Sequence, residues 1–200
     1  MPAKVIAICG EKRSGKDVLA NYIAHKYGYT RLAFAQPLKN IVKIIFDFND
    51  IQVGIDDINC NGTEKDTIDA RWGISPRHAL QFFGTEIFQN NIQQLIPNIN
   101  KDFFANTLMN KIKENNTYVI SDIRFLHEYE KLKSHDLTII RVIRPNDFSN
   151  TDNHVSEQEF KKIPFDIEIV NDSTIDNYIQ KYNEKYEELR KLTENINKYH

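Results

Sequence analysis

The sequence predicts an α/β protein in which helices flank a five-stranded parallel sheet. Short apolar runs alternate with helical patterns along the chain, and this alternation implies parallel strands joined by helical crossovers. Two runs, VIAIC at residues 5–9 and LTIIRVI at residues 137–143, are almost continuously apolar. Such runs are typical of strands that are covered on both faces. A length of 200 residues suits one domain with a sizeable core.

Each apolar run with β-rich composition is a predicted strand, and each stretch of helical periodicity between two runs is a predicted helix. The strands are Lys4–Cys9, Arg31–Ala35, Tyr118–Ser121, Leu137–Ile143 and Ile167–Val170. The helices are Lys16–Tyr27, Pro37–Phe46, Pro76–Gln89, Asp102–Asn115, Leu126–Lys133 and Ile175–Asn197. Residues 47–75 lack periodicity and form either a functional lid or a plain surface loop.

The last predicted helix carries apolar residues seven apart, at Ile175, Tyr182, Leu189 and Ile196. This spacing fits a short coiled-coil seam of a homodimer. The preferred interpretation is a helix that packs on its own sheet.

Composition excludes several classes of protein. A net charge of −2 gives no electrostatic basis for nucleic-acid binding. The two cysteines, Cys9 and Cys60, do not make a disulfide framework, and no His/Cys pair has zinc spacing. No signal peptide and no membrane-spanning apolar stretch is visible. We therefore expect a cytoplasmic protein without membrane partners.

The segment GEKRSGKD, residues 10–17, is the main functional signal because it follows an apolar run and opens a helical pattern. Gly10 and Gly15 allow a tight turn around phosphates, and the N–H groups of the loop supply positive potential. Lys16 would reach the β- and γ-phosphates, and Arg13 adds a forked cation. Asp17 replaces the usual hydroxyl ligand of Mg²⁺ and is expected to hold a metal-bound water. A chance strand–turn–helix is the alternative.

Polar residues follow three predicted strands, where α/β sheets bind their ligands. Asp122 is placed like a Walker-B carboxylate or like an ordinary helix N-cap, and Arg124 follows it. Arg144 leaves the next strand on the cleft side, whereas Arg141 lies inside that strand and is predicted to be structural. Asn171 would meet a nucleotide base or form an Asx turn.

A second informative segment, SPRHALQFFGTEIF at residues 75–88, places Arg77, Gln81 and Thr85 on one helix face. A guanidinium, an amide and a hydroxyl in a row can hold a phosphate at one end and a base at the other. A solvated polar face is the alternative. Gly84 in mid-helix suggests that another group approaches the helix closely.

Further acceptor-side candidates lie in FAQPLK and DNHVSE. Phe34 is placed for base stacking or for the core, and Lys39 is placed for a phosphate. His154 and Glu157 fit a lid over phosphates, although Ser156 also fits a helix cap. The single domain would thus carry an acceptor-binding insertion at about 36–100 and a lid at about 144–163.

The ordered set GEKRSGKD, FAQPLK, RHALQFFGTE, VISDIRFLHE, VIRP, DNHVSE and VND resembles the bacteriophage-type deoxynucleoside monophosphate kinases from about Ile6 to Asp172. The resemblance implies a nucleoside monophosphate kinase fold with a P-loop. It also implies ATP-dependent, Mg²⁺-assisted phosphorylation of a deoxynucleoside 5′-monophosphate. Asp17 matches the family's own loop, whereas Ser173 stands where the family tends to have Gly.

The resemblance also implies roles for individual residues. It assigns Gly10, Arg13, Gly15, Lys16 and Asp17 to the ATP phosphates and magnesium, Arg77 and Gln81 to the monophosphate, and Asp122, Arg124 and Arg144 to phosphoryl transfer. Position along the chain adds Ser14 and Asn171 for ATP, Asp122 for the metal, and Arg13 and Lys16 for transfer. It adds Phe34, Lys39, Thr85, Arg124 and Glu157 for the acceptor.

Three other interpretations fit parts of the pattern. A phosphomevalonate kinase shares the loop, VSD.R and SE elements, but the RHALQFFGTE helix resembles the nucleotide kinases. A dephospho-coenzyme A kinase would need a general base, for which Asp122 is the candidate. A P-loop protein that binds ATP without turnover is the third alternative.

Overall fold

The computed structural model describes residues 1–55, 63–99, 101–145 and 159–197, with side chains as far as residue 192. The strands are β1 (Lys4–Gly10), β2 (Thr30–Leu32), β3 (Thr117–Ile120), β4 (Asp136–Ile143) and β5 (Ile167–Val170). The α-helices are α1 (Lys16–Tyr27), α2 (Gln36–Phe46), α3 (Asp50–Val53), α4 (Pro76–Phe82), α5 (Phe103–Met109), α6 (Leu126–Leu132) and α7 (Ile175–Asn197). A π-helix at Phe83–Asn91 follows α4, and 3₁₀ turns lie at Ile92–Gln94 and Phe160–Lys162.

The five strands form one sheet in the order β2-β3-β1-β4-β5. The pairs β1–β3, β1–β4 and β4–β5 run parallel, so the carboxyl ends of these strands meet at one edge. Strand β1 is buried from Val5 to Gly10, which explains its continuous apolar run. The predicted parallel sheet with flanking helices is confirmed.

Contacts divide the chain into two compact units. Unit 1 comprises Met1–Arg31 with Lys113–His200, and unit 2 comprises Leu32–Ile112. Unit 2 contains the predicted acceptor insertion and extends beyond it at both ends.

Unit 1 has a core in which α1 and α7 pack together with the strands. Leu19 and Ile23 of α1 are buried with Tyr178, Tyr182 and Tyr186 of α7. The interpretation of the last helix as one that packs on its own sheet is confirmed, because Tyr182 of the predicted dimer seam is fully buried in this core. None of the described helices is long and apolar enough to span a bilayer.

Unit 2 has its own apolar cluster, which includes Val42, Phe48, Val53 and Ala79. Its irregular segment contains α3, whose N-terminus is closed by reciprocal side-chain bonds between Asn49 and Gln52. Residues 56–62 of the predicted lid or loop lie outside the described part of the chain.

Three predicted elements differ from the structure. Strand β2 ends at Leu32 rather than Ala35, because the chain turns before α2 begins. The helix predicted at Asp102–Asn115 ends at Met109. The helix predicted at Pro76–Gln89 is α-helical only to Phe82, and a π-helix follows.

Candidate nucleotide and acceptor sites

The loop between β1 and α1 has a backbone that only glycine tolerates at two positions. Gly10 has φ 149° and Gly15 has φ 102°. A Cβ atom on Gly10 would lie 2.3 Å from the carbonyl oxygen of Val142, and one on Gly15 would lie 2.6 Å from Nδ2 of Asn171. Arg13 also has a positive φ, of 64°. The loop is therefore held in a left-handed, tightly packed conformation.

Lys16 closes this loop from its C-terminal end. Its Nζ donates to the carbonyl oxygens of Gly10, at 2.9 Å, and Glu11, at 2.5 Å. It also lies 3.5 Å from Oγ of Ser14, and both side chains are buried. The ammonium group thus sits within the turn of the loop, where a phosphate bound by the backbone N–H groups would meet it.

Two hydrogen bonds, one from the residue after β5 and one from α7, hold the backbone of the loop. Asn171 donates its Nδ2–H to the carbonyl oxygen of Ser14 at 2.9 Å. The hydroxyl of Tyr178 donates to the carbonyl oxygen of Gly15 at 3.3 Å. Burial, and then the charge of Asp17, raise the pKa of Tyr178, which keeps this hydroxyl protonated. The structure thus places Asn171 against the loop backbone, and its predicted contact with the base stays a prediction.

A buried carboxyl group in α6 contacts the segment that connects β3 to this helix. Oε2 of Glu128, in α6, accepts from the backbone N–H of Arg124 at 2.8 Å and of Phe125 at 3.0 Å. Glu128 is 6% exposed. Burial raises the pKa of Glu128 to about 8, and repulsion from Asp122 acts in the same direction, while the two N–H donors and Arg124 lower it. Glu128 thereby holds the backbone of Arg124 and Phe125 at the start of α6.

Two arginines, Arg141 within β4 and Arg144 directly after it, have different surroundings. Arg144, which is exposed, places Nη1 3.4 Å from the carbonyl oxygen of Arg13 in the loop. Arg141 donates to the carbonyl oxygens of Lys161 and Ile163 and lies 4.0 Å above the ring of Phe165. The prediction that Arg141 is structural is confirmed.

Asp17 makes an ion pair that the sequence analysis did not foresee. An Oδ1 atom of Asp17 contacts Nη2 of Arg31, the middle residue of β2. The same guanidinium bonds to Oδ1 of Asn21 at 2.5 Å and to Oγ of Ser121 at 3.2 Å. Arg31 therefore connects α1 with the end of β3.

The carboxylates near the loop could supply only some of the ligands of a Mg²⁺ ion. In the described part of the chain, no group of three or more His, Cys, Asp or Glu residues could hold a metal. Mg²⁺ commonly takes one or two carboxylates together with substrate phosphates and water. A single carboxylate at the end of β3, Asp122, fits that requirement.

In unit 2, the predicted acceptor residues lie on α4 and the π-helix. The guanidinium of Arg77 pairs with Asp66 through Nε, and its Nη2 lies 3.2 Å from Oδ2 of Asp66. Gln81 is exposed and Thr85 is half-buried. Because Thr85 lies in the π-helix, the α-helical spacing that aligned it with Arg77 does not apply to it.

Two of the remaining acceptor candidates are buried or already bonded within the protein. Phe34 is 3% exposed, which favours its core alternative. Nζ of Lys39 donates to the carbonyl oxygen of Gly54 at 2.5 Å. The group that approaches Gly84 is Leu38, whose Cδ2 would lie 3.1 Å from an added Cβ. Their predicted roles toward a substrate stay predictions. His154, Ser156 and Glu157 lie outside the described residues, as does most of the predicted lid.

Sequence reasoning missed three residues that shape the nucleotide site: Arg31, Glu128 and Tyr178. Arg31 begins the predicted second strand, and Ser121 ends the third. Their positions at strand ends could have pointed to a contact between them. Sequence alone, however, does not show that β2 and β3 are neighbours in the sheet.

A parallel sheet whose first strand leads through a glycine-rich loop into a helix that begins with lysine defines the class of P-loop nucleotide-binding proteins. The dephospho-CoA kinase of Campylobacter jejuni has a similar fold, with a TM-score of 0.50 at 14% identity over 96% of this chain and 99% of that chain. The model of the deoxynucleotide monophosphate kinase family matches residues 4–69 and 47–182.

Two viral proteins are similar along most of the chain. A protein of Acanthamoeba polyphaga mimivirus that carries this family name is 33% identical over 185 residues, covering 87% of this chain and 91% of its own length. The deoxynucleotide monophosphate kinase of Enterobacteria phage T4 is 23% identical over 240 residues, covering 89% of this chain and 96% of its own length. The chain belongs to the deoxynucleotide monophosphate kinase family.

Proposed function

We propose that the protein transfers the γ-phosphoryl group of ATP to a deoxynucleoside 5′-monophosphate, giving ADP and a deoxynucleoside diphosphate. The observation that carries this proposal is the loop of residues 10–16, in which buried Lys16 bonds to the carbonyl oxygens of Gly10 and Glu11. A loop of this conformation would surround a phosphate group of ATP. Membership of the family supports a deoxynucleotide as the acceptor.

The nucleotide site would act mainly by binding the phosphates of ATP and neutralising their negative charge. The backbone N–H groups of residues 10–15, with the buried ammonium of Lys16, would bind the β- and γ-phosphates of ATP. Arg13 and Arg144, both exposed beside the loop, would neutralise the oxygens of the transferred group. Asp122 would hold Mg²⁺, which supplies charge neutralisation between the phosphates when it is bound.

The acceptor needs no strong general base. A monophosphate is already an anionic nucleophile, so the protein must orient two anions in line and offset their repulsion. Arg77 is proposed for the monophosphate: Asp66 engages its Nε and Nη2, which would orient the guanidinium so that Nη1 donates to the phosphate. Gln81 and Thr85 are proposed to contact the nucleoside, with Phe34, Lys39, Arg124 and Glu157 as further acceptor residues.

The test is ADP release from Mg·ATP with one candidate acceptor at a time. The panel contains dGMP, dTMP, dCMP, dAMP, their ribose forms, dephospho-coenzyme A and phosphomevalonate. Turnover restricted to deoxynucleotides is expected. Turnover with another acceptor alone, or with none, would overturn the proposal.

A Lys16→Ala variant serves as the control for contaminating kinases. Because Lys16 is the buried cation of the loop, this variant is expected to lose at least about 10²-fold in rate with every acceptor.

A further inference from the structure

Arg31 stands where the phosphate loop, its helix and the end of β3 meet. Its Nη2 contacts the carboxylate of Asp17 and lies 3.2 Å from Oγ of Ser121, and its Nη1 lies 2.5 Å from Oδ1 of Asn21. Three of its five N–H donors thus engage three acceptors on two elements. Asp17 directly follows Lys16, and Ser121 directly precedes Asp122.

We propose that Arg31 is a positioning residue of the nucleotide site. Asp17 is then the ion-pair partner that holds the guanidinium of Arg31 in place, rather than a ligand of Mg²⁺. The inference rests on the proposed function in that it assumes ATP binds at this loop. It changes the role expected for Asp17 and assigns one to Arg31.

The charge of Asp17 is the first reason. A hydroxyl at this position of a phosphate loop is neutral, whereas a carboxylate repels the triphosphate that must bind beside Lys16. The guanidinium of Arg31 neutralises that carboxylate. An arginine keeps its charge at all working pH values and matches a carboxylate with its planar fork, so it is well suited to this role.

The geometry of the pair is the second reason. The carboxylate oxygen that contacts Arg31 is a hard oxygen of the kind that Mg²⁺ would need, so the pair competes with metal coordination. The bond to Ser121 ties the first turn of α1 to the strand end that leads into Asp122. Asp122 is then the carboxylate that we assign to the metal.

A surface ion pair without functional effect is the competing explanation. The two side chains are 32% and 39% exposed, and exposed pairs of this kind commonly contribute little to stability. The two explanations differ in what happens when only one partner is removed. If Arg31 neutralises Asp17, the harmful state is the unpaired carboxylate.

The experiment measures the affinity of a fluorescent ATP analogue, with and without Mg²⁺, for four variants: Arg31→Gln, Asp17→Asn, the double variant and Arg31→Lys. Arg31→Gln is expected to weaken binding about tenfold or more in both conditions. Asp17→Asn is expected to weaken it much less and to keep its Mg²⁺ dependence. The double variant is expected to bind better than Arg31→Gln, since the uncompensated charge is gone.

Arg31→Lys keeps the charge and covers the case in which Arg31→Gln does not fold, as judged by its Tm. It is expected to retain most of the affinity. Arg71→Gln is the matched control, because Arg71 also pairs with aspartates, Asp47 and Asp69, but in unit 2. It should bind the analogue as the wild type does.

Two results would overturn the proposal. One is an Asp17→Asn protein whose binding no longer responds to Mg²⁺, which would make Asp17 a metal ligand. The other is a double variant no better than Arg31→Gln. Neither depends on the acceptor, so a wild-type protein that binds the analogue but phosphorylates no deoxynucleotide would contradict the proposed function alone.

Discussion

Glu128 shows how one buried side chain organises a strand end. A carboxyl group that is 6% exposed is costly unless hydrogen bonds or a proton compensate for its charge. Two backbone N–H groups supply bonds, and burial with the nearby charge of Asp122 raises the pKa of Glu128 to about 8 from an ordinary 4.5. Between these values, the folded protein holds a proton that the unfolded chain has released.

Stability should therefore fall as pH rises through that window, because the folded state binds more protons than the unfolded state. The free energy lost through Glu128 is at most about 1.4 kcal/mol per pH unit. In Glu128→Gln, the amide oxygen can still accept both N–H bonds but does not titrate. Compared with wild type, this variant should gain stability between about pH 5 and pH 8, as measured by urea unfolding. Parallel stability curves for the two proteins would contradict this expectation.

Gly10 allows a second prediction at the residue scale. Its φ of 149° strains any residue other than glycine, and an added Cβ would lie 2.3 Å from the carbonyl oxygen of Val142, which is backbone and not a flexible side chain. Gly10→Ala should lose ATP binding by about 10²-fold or more, or fail to fold.

Gly28→Ala is the matched control for Gly10→Ala. Gly28 also has a positive φ, of 71°, but nothing lies within 4 Å of an added Cβ. It should cost about 1 kcal/mol in urea unfolding and leave ATP affinity unchanged. Equal binding by Gly10→Ala and Gly28→Ala would show that close packing against Val142 does not shape the loop.

The loop residues were predictable from sequence because their chemistry is local. Gly10, Gly15 and Lys16 lie within seven residues, and the loop needs their properties at those spacings. Arg31 was not predictable in the same way. Its partners Asp17 and Ser121 are 14 and 90 residues away, and only the folded sheet brings them together.

At the scale of the element, the helix after Ser75 shows a limit of periodicity. Apolar spacing assumes 3.6 residues per turn throughout, and π-helices are too rare to expect. The nine-residue π-helix begins at Phe83, beside the close contact of Gly84 with Leu38. Arg77 and Gln81 precede this change and keep their α-helical relation, whereas the register of Thr85 changes.

The hydrogen bond from Asn171, directly after β5, to the loop backbone leads to a prediction. Because Nδ2 of Asn171 donates to Ser14 rather than being free for a base, removing it should loosen the loop backbone. Asn171→Ala is therefore expected to weaken binding of ATP and of inorganic tripolyphosphate by the same factor. Calorimetry with both ligands checks this, and Tyr178→Phe provides a milder loss of the neighbouring 3.3 Å bond. A loss specific to ATP would instead support the predicted contact with the base.

At the scale of the molecule, the sequence predicted the strands of the sheet better than the division of the chain into two compact units. Four of the five strands are mainly apolar runs and were placed to within one residue at each end, whereas β2 is short and not buried. The insertion predicted at about 36–100 lies within unit 2, but the boundaries of this unit at Leu32 and Ile112 were not visible, because they depend on which residues pack together. Unit 1 and unit 2 each have an apolar cluster of their own.

Separate cores lead to a prediction about where each substrate acts. Hydrogen exchange should show protection of residues 10–19 by a non-hydrolysable ATP analogue, because the loop and the start of α1 lie in unit 1. A deoxynucleoside monophosphate should protect residues 76–91 of unit 2, which span α4 and the π-helix.

Arg77→Ala tests the assignment of the acceptor within this experiment. It should abolish protection by the monophosphate and reduce phosphoryl transfer by about 10²-fold or more, while protection by the ATP analogue persists. Arg71→Ala is the control, since Arg71 pairs with Asp69 in the same unit but is not assigned to the acceptor. Wild-type transfer by Arg77→Ala, or equal effects of the two variants, would place the monophosphate elsewhere. The physical reason for expecting a difference is that only Arg77 projects from the helix whose exposed Gln81 could meet the same ligand.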